Sequence, residues 1–295
     1  MSPRLPSPQA RYVAVNGISL AYLDWPGERG PLICLPSIAG HKGSFTPLAD
    51  RLSPRYRIFS LDLRGRGASD KPTDGYGFAY HARDILAFAD VIGAQSFVLV
   101  GHSFGATTGV YTASIRPERV RALVLMDGGA DPKEETLRSM YPTIRRLDEV
   151  YSSMEEYLAA QRSVSYYKPW TAALERYLRE DVEVQVNGSV RSRSSTAAIE
   201  RDLDLHFWYS MCNHFPNVRC PALLLRPLEG LNGTSGHAYS DEEALNAVEH
   251  FANCKHVKVK GGNHYTFLLQ DDPPVLPFIE EFLDRVLAEP VSERA

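Results

Sequence analysis

Short apolar runs alternate with helix-like stretches along most of the chain. Residues 11–25, "RYVAVNGISLAYLDW", alternate apolar and polar positions around an Asn-Gly pair, which is the pattern of a two-residue β-hairpin. Further runs are typical of strands buried on both faces, and they lie at 31–36, 55–63, 97–102 and 121–126. Stretches with helical spacing or small residues separate them, at 46–52, 80–92 and 105–115. Strands that alternate with helices predict an α/β fold with a parallel sheet and helices on both faces.

The pattern changes in the middle of the chain. From residue 131 to 216 the sequence is helical in character, rich in charged and aromatic residues, and without a convincing buried strand. The alternation then resumes with strands at 221–226 and 255–261 and a last helix at 274–287. We therefore predict an α/β core made of residues 1–130 and 217–295, interrupted by an α-helical cap at residues 131–216.

Composition limits the function classes. The formal net charge of −4 argues against nucleic acid as the main partner. The first residues lack the apolar segment of a secretory signal, and no stretch approaches the roughly 18 uninterrupted apolar residues of a membrane span. The four cysteines are scattered and form neither a CxxC motif nor a metal-ligand spacing. These features predict a cytoplasmic protein that works without a membrane and without a metal ion.

The strongest chemical motif follows the apolar run at 97–102. Gly101-His102-Ser103-Phe104-Gly105 fits G-x-S-x-G, and a helix of small residues follows it, which is the context this motif requires. The tight strand-to-helix turn leaves no room for side chains at the two glycines and lifts the serine hydroxyl from the backbone. It also directs the positive end of the helix at the hydroxyl. We predict that Ser103 is the nucleophile of an acyl-transfer enzyme.

Together with this motif, three segments give the chain a resemblance to the α/β-hydrolase fold superfamily. They are "LPSIAGHKGSF", "LDLRGRGASDKP" and "GGNHYTFLLQDDP". The resemblance implies a mostly parallel sheet of the eight-stranded type, flanked by helices, with the middle segment as the family's variable cap. It also implies that His264, after the last strand, is the general base. The family's oxyanion hole would be formed by the backbone N–H groups of Phe104 and Ile38, although Pro36-Ser37 replaces the usual His-Gly pair before Ile38.

The acid of the catalytic triad is missing from its usual place in this family. After the strand at 221–226, Pro227 stands where a glycine is expected and Gly230 where an aspartate is expected. Some members of the superfamily instead take the acid from the end of the strand after the nucleophile helix, and Asp127 stands there. Both strand ends point to the same edge of a parallel sheet, so either position can reach the same histidine. We predict Asp127 as the acid, with Glu229 as the alternative.

These residues predict a serine hydrolase that cleaves a carboxylic ester or lactone of a small acyl substrate through an acyl-enzyme. Water would complete turnover, and no cofactor is expected. Amide or carbon–carbon bond hydrolysis, perhydrolase activity, and a non-turnover ligand receptor remain open alternatives, because substrate specificity depends on the cap. The aromatic run Phe207, Trp208 and Tyr209 is our prediction for substrate contact. The oligomeric state is not predicted.

Overall fold

A computed structural model describes residues 8, 10–131, 134–206, 208–230 and 240–288. The strands, in chain order, are β1 (Arg11–Val15), β2 (Ile18–Trp25), β3 (Arg29–Leu35), β4 (Tyr56–Leu61), β5 (Phe97–His102), β6 (Val120–Met126), β7 (Val150–Tyr151), β8 (Val182–Val184), β9 (Val190–Ser192), β10 (Ala222–Pro227) and β11 (Cys254–Val259). The α-helices are α1 (Thr46–Leu52), α2 (Phe78–Val91), α3 (Phe104–Ile115), α4 (Glu134–Arg145), α5 (Met154–Arg162), α6 (Ala172–Asp181), α7 (Thr196–His206), α8 (Asp241–His250) and α9 (Leu276–Ala288).

Eight of the strands form one sheet in the order β1-β2-β4-β3-β5-β6-β10-β11. The β1–β2 hairpin and the β2–β4 pair are antiparallel, and the remaining neighbours are parallel. The mostly parallel eight-stranded sheet that the resemblance implies is therefore confirmed. Because its central strands are parallel, their carboxyl ends meet at one edge of the sheet, where a ligand site is expected.

Helices cover both faces of the sheet, as the uninterrupted apolar runs require. Alternate residues of β5 point to opposite faces, so Leu99 joins one hydrophobic cluster with residues of α2 and α3. Its neighbours Val98 and Val100 join a second cluster with residues of α1 and α9. Two cores on either side of one sheet hold the strand ends in fixed positions.

Between β6 and β10 the chain forms α4 to α7 and a small antiparallel sheet in the order β7-β9-β8. The sequence analysis expected helices alone in this segment, because strands of two or three residues are too short to show an alternating pattern. One signal was present: β8 and β9 are joined by a turn through Asn187 and Gly188, and Gly188 has a φ of +85°. An Asn-Gly pair between β-branched residues is a hairpin signal.

Candidate active site

Ser103 lies in the turn between β5 and α3, at the sheet edge where the parallel strands end. Its φ is +53° and its ψ is −117°, a conformation that a residue with a side chain rarely adopts. A Cβ at Gly101 would lie 2.4 Å from the nitrogen of Ala106, and one at Gly105 would lie 2.1 Å from the carbonyl oxygen of Leu35. The two glycines thus permit the sharp turn and bring the start of α3 against the end of β3.

Asp127 lies at the same edge, directly after β6. His102 and Met126 are register partners in β5 and β6, so Ser103 and Asp127 follow two adjacent strand ends. The backbone N–H of Ser103 donates to the carbonyl of Met126 at 2.8 Å. Asp127 is 2% exposed and has a φ of +45°. The sheet therefore places a strained serine and a strained, buried carboxylate side by side.

His264 lies in the loop between β11 and α9 and contacts Asp127. Its Nδ1 is 2.6 Å from Asp127 Oδ2, and both side chains are buried. A carboxylate only accepts hydrogen bonds, so Nδ1 is the donor in this contact and the other ring nitrogen, Nε2, is left for a second partner. Glu229, the alternative acid, is exposed beyond the end of β10. The structure thus brings His264 together with Asp127.

Asn263 holds the histidine loop in place, and the sequence analysis did not identify it. Its Oδ1 accepts from the backbone N–H groups of Tyr265 and Thr266 at 2.9 and 3.1 Å. Its Nδ2 donates to the carbonyl of Tyr166 in the cap at 3.0 Å. The ring of Tyr166 also stacks on that of Tyr265, with centroids 4.2 Å apart. The segment between β6 and β10, which the sequence analysis predicted as the cap, therefore contacts the loop that carries His264 through Tyr166.

A second histidine packs beside the first. The rings of His102 and His264 have centroids 4.7 Å apart. Burial, and secondarily the nearby His264, lowers the pKa of His102 well below its usual value, against the effect of a hydrogen bond to the backbone of His264. His102 is therefore neutral at physiological pH and adds no charge beside His264.

The two residues predicted to form the oxyanion hole lie at this edge as well. Phe104 is the first residue of α3, where a backbone N–H has no acceptor within the helix. Ile38 is buried in a turn that is closed by the Gly40 N–H donating to the Ser37 carbonyl at 3.0 Å. The close approach of Gly105 to Leu35 brings these two segments together.

Of the three aromatic residues predicted to contact substrate, Trp208 and Tyr209 lie in the described part of the chain. Trp208 is 86% exposed. Tyr209 packs against Phe78 and Tyr111, with ring centroids 5.1 and 5.6 Å away. Phe207 lies outside the described residues. A run of aromatic residues in the sequence does not distinguish packing positions from pocket positions, and the substrate contacts stay a prediction.

The described residues hold neither a candidate metal site nor a helix that could span a membrane. No group of three His, Cys, Asp or Glu side chains in the described part of the chain could hold a metal ion. Among the same residues, no helix is both long and apolar enough to cross a membrane.

Comparison with known proteins gives curated relatives that are similar to part of this chain. The chain is 32% identical over 174 residues to 2-(acetamidomethylene)succinate hydrolase from Mesorhizobium japonicum, and the alignment covers 58% of this chain and 61% of the relative. It is 36% identical over 132 residues to N-formylmaleamate deformylase from Pseudomonas putida, covering 44% and 48% of the two chains. The alignments thus span less than two thirds of either relative's length.

The fold extends over nearly the whole chain. The crystal structure of E-2-(acetamidomethylene)succinate hydrolase superposes with a TM-score of 0.82 at 23% identity, covering 94% of this chain and 99% of the other. A sequence profile of the α/β hydrolase fold matches residues 30–270. The strained turn at Ser103, the parallel sheet and this profile agree, and the chain belongs to the α/β-hydrolase fold family.

Proposed function

We propose that the protein is a serine hydrolase that forms an acyl-enzyme on Ser103, with His264 as general base and Asp127 as the triad acid. The contact between His264 Nδ1 and Asp127 Oδ2 carries the proposal. It holds the imidazole in the tautomer whose Nε2 can accept a proton, at the sheet edge where the Ser103 turn lies.

The reaction would follow the arrangement of these groups. His264 Nε2 takes the proton as the Ser103 oxygen attacks the substrate carbonyl, and Asp127 stabilises the imidazolium that forms. The N–H groups of Phe104 and Ile38 donate to the oxyanion of the tetrahedral intermediate. His264 then gives its proton to the leaving group, and the acyl group stays on Ser103. A water molecule, deprotonated by His264, releases the acid and restores the serine. No step needs a metal ion or an organic cofactor.

For the substrate, we propose a small amide whose acyl carbonyl is attacked by Ser103. One curated relative is named as the hydrolase of an acetamido compound and the other as the deformylase of an N-formyl compound, and both compounds contain an amide bond. Other relatives are named as putative carbamate hydrolases, at 34% identity over 169 residues. These similarities favour the amide alternative over the ester or lactone that the sequence alone predicted.

An ester or lactone remains a candidate because it would form the same acyl-enzyme, and the leaving group alone would differ. A substrate panel decides between them. We would measure kcat/KM for N-formylmaleamate, 2-(acetamidomethylene)succinate and a series of 4-nitrophenyl esters and lactones. The proposal predicts the highest kcat/KM for an amide. A clear preference for a lactone or an ester would overturn the substrate class while leaving the serine mechanism intact.

The Ser103→Ala variant tests the mechanism itself in the same assay. We expect all activity to be lost with the melting temperature nearly unchanged. Retained activity toward the preferred substrate would refute the serine mechanism. If the wild-type protein binds a panel compound without turning it over, and Ser103 resists acylation, the ligand-receptor alternative replaces the enzyme.

A further inference from the structure

Arg66 is a fully buried cation between the core and the cap. It lies in the loop after β4, between Gly65 and Gly67, and its side chain is 0% exposed. Its Nη1 lies 2.5 Å from Oδ2 of Asp202 on the cap helix α7. Its Nη1 also donates to the carbonyl of Arg64 at 2.9 Å. One guanidinium thus joins the core loop to the cap through an ion pair that is removed from water.

Asp202 is the centre of this buried cluster. Besides Arg66, its carboxylate contacts His81 Nε2 at 2.9 Å and accepts from the backbone N–H of Gly77 at 2.5 Å. Burial alone would raise the pKa of Asp202, but the interactions with His81 and Arg66 outweigh it and hold this pKa below its usual value. Asp202 is therefore an anion that the cap inserts into the core.

The same guanidinium contacts both residues of the proposed oxyanion hole. Arg66 Nε donates to the carbonyl oxygen of Ile38 at 2.8 Å. Its Cζ lies 5.6 Å from the centre of the Phe104 ring. The ring centroids of His81 and Phe104 are 5.2 Å apart, with the two rings nearly perpendicular. The positions of Ile38 and Phe104 therefore depend on where Asp202 holds Arg66.

The cluster is poorly arranged for stability alone. Arg66 Nη2 and His81 Nδ1 are buried without a hydrogen-bond partner among the described residues. Removing a charged pair from water is costly, and apolar residues of similar volume often stabilise a protein as well or better. A costly pair that contacts both oxyanion-hole residues indicates a role in positioning them.

We infer that Arg66 and Asp202 are positioning residues that couple the seating of the cap to the geometry of the oxyanion hole. When α7 is docked, Asp202 orients the guanidinium so that its Nε holds Ile38 and its Cζ lies over the Phe104 ring. When α7 withdraws, Arg66 loses its anion and the hold on Ile38 loosens. The inference rests on the proposed function, because it assigns a purpose to the Ile38 and Phe104 N–H groups.

A neighbouring ion pair provides a matched control. Arg64 lies two residues away and pairs with Asp84, with Nε–Oδ2 and Nη2–Oδ1 distances of 2.7 and 2.8 Å. The side chains of Arg64 and Asp84 are 5% and 4% exposed, so this pair is buried nearly as completely as the pair of Arg66 and Asp202. The Arg64–Asp84 pair lies within the core. Among the described residues, neither of its side chains makes a hydrogen bond or ring contact with Ile38 or Phe104. Asp84 lies on α2 and faces this loop, so Asp84→Asn removes a buried charge beside the loop and leaves the contacts of Arg66 with Ile38 and Phe104 in place.

The test measures kcat and KM with 4-nitrophenyl acetate, and the melting temperature, for each variant. We expect Asp202→Asn to lower kcat by about tenfold or more, with KM changed by less than about threefold, because an oxyanion-hole donor acts in the transition state. Asp202→Glu should recover part of kcat, and Asp84→Asn should lose melting temperature while kcat stays within about threefold of wild type. Equal losses of kcat in Asp202→Asn and Asp84→Asn, or a rise in KM alone, would overturn the inference.

Arg66→Lys separates the two contacts if Asp202→Asn does not fold. The lysine keeps a positive charge for Asp202, but its single ammonium lacks the fork that reaches Ile38 at the same time. We expect a similar loss of kcat with the cap still docked, and wild-type kcat in this variant would refute the positioning role. Failure of the proposed function gives a different result, in which Ser103→Ala retains activity.

Discussion

His264 Nδ1 lies 2.6 Å from Asp127 Oδ2, although 137 positions of sequence separate the two residues. Asp127 reaches this contact because β6 ends at the same sheet edge as β5, and a φ of +45° turns its carboxylate toward the histidine loop. The acid of the proposed triad therefore comes from the strand that follows the nucleophile helix.

This contact predicts that Asp127→Asn lowers kcat by about 10³- to 10⁴-fold, because an amide can donate to Nδ1 and stabilise the wrong tautomer of the imidazole. The measurement is steady-state turnover of the preferred substrate. Glu229→Gln is the control and should leave kcat unchanged. A large loss with Glu229→Gln and none with Asp127→Asn would move the acid to the strand after the cap.

The strained turn at Ser103 predicts a trade between activity and stability. Ser103→Gly should be inactive, yet its free energy of unfolding should rise by about 1 kcal/mol, because glycine adopts a φ of +53° without steric cost. Ser103→Ala should be equally inactive with little change in stability. Urea denaturation of both variants measures the difference, and equal stability of the two would show that the serine turn stores no strain.

Asn263 should matter for both the loop and the cap. Asn263→Ala removes the bonds to the Tyr265 and Thr266 backbone and to the Tyr166 carbonyl. We expect the free energy of unfolding to fall by about 1–3 kcal/mol. We also expect kcat to fall by about tenfold or more, because His264 loses its fixed orientation. Urea denaturation and kcat report the two effects, and a stability loss with wild-type kcat would contradict a role in orienting His264.

Three buried histidines predict that stability falls at acid pH. Burial lowers the pKa of His41 and of His206 to about 4, and it lowers that of His102 as well. Their unfolded pKa lies near 6.5, so below about pH 6.5 the unfolded chain binds more protons than the folded one and stability falls toward pH 4. Asp181 acts in the opposite direction, since burial and the charge of Asp62 raise its pKa to about 7.

His206→Phe isolates one of these groups. Each additional proton bound by the unfolded chain costs about 1.4 kcal/mol of stability per pH unit. The variant should therefore lose less stability than wild type between pH 6 and 5, by up to about that amount. Urea denaturation at the two pH values checks this, and the same pH dependence in both proteins would show that His206 is protonated in the fold.

Local patterns were sufficient to predict the sheet and the tight turn at Ser103. The apolar runs correspond to strands buried on both faces, and Gly101 and Gly105 stand where the backbone leaves no room for a side chain. The hydrogen-bonding role of Asn263 was missed, although it directly precedes His264. A single asparagine in a loop has no pattern that distinguishes a structural network from a solvent-exposed turn.

Contacts between the core and the cap could not be predicted in this way. Arg66 and Asp202 come from distant parts of the chain. In the sequence alone, each is a charged residue that is expected at the solvated surface. Only the docking of α7 buries them together. Similarly, the aromatic character of Trp208 and Tyr209 favoured substrate contact, and it does not distinguish the exposed Trp208 from Tyr209, which packs on Phe78.

Covalent labelling with a fluorophosphonate tests the central claim most directly. The wild-type protein is treated with the reagent, digested, and examined by mass spectrometry to locate the adduct. We expect one phosphonylated residue, Ser103, and much slower labelling of Asp127→Asn, because the serine then lacks a base in the correct tautomer. Labelling at a different serine, or no labelling of a protein that still hydrolyses its substrate, would contradict the assignment of Ser103 as the nucleophile.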